Sequence, residues 1–117
     1  MNECSKENIR AILSFEELLP DISKLSREEF EADKRILQLL SLLLKNNFTF
    51  PFDYPAWLSE MGIKLDNIDD LDSYDLETLR KVMTANVRMD RFVEGHLYHL
   101  VSSGYFSAFF NALKKYS

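Results

Sequence analysis

From Tyr74 to Ser102 apolar residues recur at helical spacing almost without interruption, and the run is too long for the fold that must hold it. A straight helix over those 29 residues would extend about 43 Å. A compact domain of 117 residues has a radius of gyration of about 13 Å, hence a diameter of roughly 35 Å. The helix therefore has to break. Thr84-Ala85-Asn86 combines low helix propensity with good capping residues, and the sequence predicts the break there.

The rest of the chain follows the same period. Ser5 caps a first helix whose Ile9, Ile12, Leu13 and Leu19 face one way, with Pro20 as its stop. Ser26-Arg27-Glu28-Glu29 has the serine-to-glutamate spacing of a capping box and opens a second helix. That helix carries a thin polar stripe, Glu31, Lys34, Gln38, Ser41 and Lys45, and otherwise only leucine and isoleucine from Ile36 to Leu44. So narrow a wet strip predicts either the central helix of the domain or one that also has a self-association face. In NNFTFPFDYPAWLSEMG the period fails. Pro51 and Pro55 exclude a long helix, although Phe48-Thr49-Phe50 alternates as a short strand would. An ordered loop pinned by aromatic rings fits better, followed by a helix from Pro55 to Met61 that Gly62 closes. The five aspartates between Asp66 and Asp75 lack the EF-hand pattern and suit turns, with Asp72, Ser73 or Asp75 capping the next helix. A last helix, Tyr105 to Tyr116, sets Tyr105, Phe106, Phe109, Phe110, Leu113 and Tyr116 against Ser107, Asn111 and Lys114. The expectation is an all-α single domain over residues 1–117, with five or six helices, one aromatic-rich loop and a mobile terminus at 1–4.

Composition removes several functions. A net charge of -5 opposes sequence-independent nucleic-acid binding, which needs a basic surface. Cys4 is the single cysteine, so neither an internal disulfide nor a thiolate zinc site can form. The apolar run Ile36–Leu44 extends about 14 Å as a helix, under half of a bilayer core, and the polar start MNECSKENIR is unlike a signal peptide. A cytoplasmic protein without membrane association is the expectation.

Chemistry is densest in RMDRFVEGHLYH, Arg88 to His99. On a continuous helix Met89, Val93, Leu97, Leu100 and Val101 would form the buried side, opposite Arg88, Arg91, Gly95 and His99. Glycine at an exposed mid-helix position costs about 1 kcal/mol, so Gly95 predicts something in close approach, and a wet Phe92 would be odd beside it. The covered face would leave Arg88 and Arg91 rimming a groove, with Asp53, Glu94 or the 66–75 aspartates as internal ion partners or an external anion in their place. His96 and His99 have no third ligand at a defined spacing, which points away from a metal, and no cofactor motif is present.

Two segments also resemble a known family. Phe52, Asp53, Tyr54, Pro55 and Trp57, together with Thr84, Arg88, Arg91, Phe92 and Gly95, are similar to the aromatic-Asp-aromatic-Pro-x-Trp and Thr-x-x-x-Arg-x-x-Arg-Phe-x-x-Gly motifs of domain of unknown function 6508. Its members are small bacterial and archaeal proteins. Tyrosine stands where tryptophan is frequent in the loop. The resemblance covers about Phe48 to Leu113 and implies a small helical domain, without an activity, substrate or catalytic residue.

The leading expectation is a non-enzymatic binding module. Arg88, Arg91, Gly95, Phe92, Asp53 and Trp57 would form its groove, and an anionic small molecule or an acidic peptide would be its ligand. The alternatives are a hydrolase or nuclease-like enzyme with His96, His99 or Glu94 as acid–base group and the arginines clamping phosphate, and an assembly protein that forms a homodimer.

Overall fold

The computed structural model describes residues 3–117, and among these it contains helices, turns and loops but no strand. Eight α-helices follow one another: α1 (Lys6–Leu13), α2 (Leu19–Ser23), α3 (Arg27–Ala32), α4 (Arg35–Lys45), α5 (Tyr54–Met61), α6 (Leu76–Met89), α7 (His96–Ser102) and α8 (Tyr105–Leu113). A 3-10 stretch, Ser14–Leu18, joins α1 to α2 without a gap, so the helical bodies number seven. The radius of gyration is 13.4 Å and the extents are 34 × 31 × 25 Å. Of the terminus expected to be mobile, Met1 and Asn2 lie outside the described residues, and Cys4 packs partly against the core. No helix among the described residues is long and apolar enough to cross a membrane.

Local chemistry accounts for several boundaries. Ser5 and Ser26 both form capping boxes, with Asn8 and Glu29 as the returning partners. The Ser26 backbone amide holds the Glu29 carboxyl below its usual range, as does the serine hydroxyl. Asp75 caps α6 through the Thr78 amide at 2.8 Å, and Gly62 closes α5 at φ 65. Pro20 does not stop the first helix. The tighter 3-10 turn precedes it, and Pro20 lies in the first turn of α2, where a missing N–H loses nothing.

Two long helices expected from the pattern are divided. Asp33 is extended at ψ 128, and its carboxylate accepts from both the backbone amide and the guanidinium of Arg35, which separates α3 from α4. The break in the Tyr74–Ser102 run falls at Asp90–Gly95, not at Thr84–Asn86. At 14 residues α6 is about 21 Å long and fits the molecule. The Asp90 carboxylate accepts from the Leu97 amide at 3.0 Å, so it caps α7 from across the turn.

The centre belongs to α8, not to the leucine-rich α4. Tyr105, Phe106, Phe109, Phe110 and Leu113 are fully buried, and α8 packs against α1, α6, α7 and the Leu71–Ser73 turn. Phe48, from the loop after α4, meets Phe109 edge to face at 5.5 Å. By contrast α4 packs chiefly against α1. It buries Ile36, Leu39 and Leu43 but leaves Leu37 63% and Leu44 68% exposed.

Candidate ligand groove

Three buried polar residues on α6 organise the surroundings of the arginines. Arg80 donates through Nε to the Phe48 carbonyl at 3.2 Å and through Nη2 to the Asn47 carbonyl at 2.6 Å. Its guanidinium lies 4.8 Å from the centre of the Phe50 ring. One turn on, the Thr84 hydroxyl donates to the Arg80 carbonyl and accepts from the Phe50 amide. The loop can receive these bonds because Asn47 takes φ 60 after α4, a left-handed position that asparagine tolerates. Asn86 Nδ2 donates to the Leu65 carbonyl and the Tyr105 hydroxyl, both at 3.1 Å. That fixes Asn86 Oδ1 towards His96 Nε2 at 2.8 Å, so Nε2 carries a proton in this bond. Burial lowers the His96 pKa, opposed mainly by the Asp90 charge. Burial also pushes the Tyr105 phenol up.

With the loop so anchored, a groove of about 390 Å³ opens between α4, the loop and the end of α6. Leu40, Ser41 and Leu44 line one side, Thr49, Phe50 and Pro51 another, and Thr84, Val87, Arg88 and Arg91 the third. Arg88 is half-buried and Arg91 exposed. Among the described residues neither guanidinium has a salt-bridge partner. Two neighbours extend the groove. One of about 720 Å³ shares Leu44, Thr49, Phe50 and Pro51 and reaches Phe52, Lys81 and Glu77. The other, of about 540 Å³, shares Leu40 and reaches Leu37, Glu31, Asp33, Asp90 and Glu94. The result is an open trough along the outer side of α4, cationic in its middle and acidic at one end.

The remaining residues singled out in the sequence lie elsewhere. Asp53 caps α5, its carboxylate accepting from the Ala56 amide, and does not face the arginines. Trp57 packs on Phe52 at 5.8 Å and on the Lys81 ammonium at 5.6 Å. Phe92 is 78% exposed and Val93 47%, so the turn inverts the burial expected of a continuous helix. Gly95 is not mid-helix at all. It precedes α7 at φ 76, and a Cβ there would lie 2.9 Å from Arg27 Nη2. The close approach is therefore real, and it comes from α3. Glu94 meets Arg27 at 3.4 Å, not Arg91. His99 faces Asp66 at 3.7 Å, and neither imidazole lines the groove with Arg88 and Arg91. Among the described residues no cluster of three His, Cys, Asp or Glu side chains is placed to hold a metal ion.

The sequence pattern does not mark Leu40, Leu44 or Arg80 as site residues. Leu40 and Leu44 belong to a leucine run whose pattern cannot say which leucines a partner covers. Thr84 was visible in the family motif, although its hydroxyl serves the loop and not a helix end.

A small all-helical domain with an arginine-flanked apolar trough is the class of protein these features define. The chain belongs to the family of unknown function DUF6508, whose model matches residues 6–117. No curated protein and no solved structure matches it.

Proposed function

We propose that this protein is a non-enzymatic binding module that takes an acidic polypeptide segment along the trough, with Arg88 and Arg91 engaging its carboxylates. The observation that carries the reading is the pair of guanidinium groups on an apolar groove with no internal carboxylate partner among the described residues. Arginine presents a planar fork suited to carboxylate, and such charge-assisted bonds are about twice as strong as neutral ones. An open trough sharing walls with its neighbours suits a chain segment better than a small molecule, whose sites enclose most of the ligand. The acid–base rival has less support, because no Asp, Glu, His or Cys lines the groove beside the arginines. In this reading the chain acts as one unit in the cytosol.

The test is fluorescence anisotropy with a labelled peptide of alternating glutamate and leucine, against a control with lysine in place of glutamate. Binding should favour the acidic peptide, weaken with salt and fall roughly a hundredfold in Arg88→Ala/Arg91→Ala, since each charged hydrogen bond contributes about 1.5–3 kcal/mol. Equal binding of both peptides, or an unaffected double variant, would remove the reading.

A further inference from the structure

The outer side of α4 has a chemistry that fits a second copy of itself. Leu37, Leu40 and Leu44 follow the three-and-four spacing of a helix-packing seam, and Ser41 beside them leaves room for close approach. Among the described residues the large exposed hydrophobic side chains are Leu37, Leu44, Met61, Phe92 and Val93. Leu37 and Leu44 belong to this seam. Phe92 and Val93 lie in the turn between Arg91, on the cationic groove, and Glu94, on the acidic one. Scattered exposed apolar residues need no explanation, but a contiguous set rimmed by charge marks an interaction surface.

Charge selects the partner. At the Leu44 end of the seam the groove beside Arg88 and Arg91 carries no acid, and in the adjoining one Glu77 is paired with Lys81. At the Leu37 end the walls carry Glu31, Asp33, Asp90 and Glu94 with Lys34. Arg35 pairs with Asp33, and the one Arg27 guanidinium serves both Glu31 and Glu94, so this end keeps an acidic excess. A two-fold axis near Leu40 and Ser41 would run two α4 helices antiparallel, placing Leu37 of each on Leu44 of the other. The same rotation brings the arginines of each protomer to the acidic end of its partner. An isologous interface demands this kind of self-complementarity, a patch whose two halves match when one is turned about.

We infer that the chain forms a homodimer through antiparallel α4 helices, with Arg88 and Arg91 of each subunit facing Glu31 and Glu94 of the other. The inference rests on the proposed reading of the groove and names the acidic segment as the partner's own.

Sedimentation velocity over a range of micromolar concentrations decides it, with circular dichroism confirming that each variant is folded. The native chain should be dimeric. Leu37→Glu/Leu44→Glu should be monomeric, as both positions are exposed and neither supports the core. Arg88→Glu/Arg91→Glu should be monomeric alone, and so should Glu31→Arg/Glu94→Arg. An equimolar mixture of those two charge variants should restore the dimer, because both halves of the seam regain opposite charges only in the mixed pair. A native chain that stays monomeric overturns the dimer. If it still binds the acidic peptide, the groove reading stands and the partner is another protein. A dimer that survives Leu37→Glu/Leu44→Glu, or a mixture that stays monomeric, overturns the antiparallel seam.

Discussion

The inner side of α6 and the outer side of α4 reverse the usual distribution of polarity. Arg80, Thr84 and Asn86 are buried, whereas Leu37 and Leu44 are largely exposed. Inside, Arg80, Thr84 and Asn86 all have hydrogen-bond partners, and among the described residues no buried side-chain nitrogen or oxygen lacks one. Outside, the leucines and Arg88 and Arg91 have no partner within the described chain. A satisfied polar seam serves the fold by fixing loops where they stand. An amphipathic face without such internal partners has, in the proposed reading, its composition set by what it meets. Substitutions should therefore divide sharply between the two regions.

The largest stability effect is expected at Asn86. Asn86→Ala removes the partner of the Leu65 carbonyl, the Tyr105 hydroxyl and His96 together. At about 1–3 kcal/mol for each buried group left unpaired, urea unfolding should show a loss of about 3 kcal/mol or more. A loss under about 1 kcal/mol would mean that the seam is not structural.

Gly95 comes next. Its left-handed φ penalises any side chain by about 1–2 kcal/mol, and the Arg27 guanidinium adds crowding that a flexible side chain relieves by moving. Gly95→Ala should thus be destabilising by about that amount in a thermal melt, and most of the loss should persist in an Arg27→Ala background. Full rescue by Arg27→Ala would make contact, not backbone strain, the cause.

A smaller effect concerns pH. Because burial depresses the His96 pKa, the unfolded chain binds more protons there than the folded one once pH falls below about 6.5. Stability present at neutral pH should decline as pH drops through that value towards the folded pKa, and His96→Gln should flatten the decline. An unchanged slope in His96→Gln would assign the acid sensitivity to other groups.

Smallest of all, at concentrations low enough to keep the chain monomeric, Arg88→Ala and Arg91→Ala should leave unfolding within about 0.5 kcal/mol of the native chain, as expected of side chains without internal partners. A larger loss would move them into the structural class.

How far the sequence revealed this division depends on the range of the interactions involved. The capping boxes at Ser5 and Ser26, the Pro55–Gly62 helix and the aromatic face of α8 rest on local patterns and are as expected. The Tyr74–Ser102 run breaks, as its length against the size of the domain requires. The place of the break was not legible, because Asp90 caps Leu97 across a turn whose shape depends on the fold. The same applies to Arg80, whose partners lie more than thirty residues away. The leucines of α4 were legible as apolar but not as exposed, since periodicity records a face without naming what covers it. Gly95 has the close neighbour that a glycine there suggests, but it stands in the turn before a helix and not inside one.

The most direct test of the central claim is a nitrogen-15 NMR titration of the labelled protein with the acidic peptide, following the Arg88 and Arg91 side-chain Nε–H groups and the Phe50 and Leu44 amides. Saturable shifts gathered at these four residues, with the Asn86 side chain unmoved, are the predicted result. Shifts gathered instead around His96 and His99, or no saturable response at Arg88 and Arg91, would contradict it.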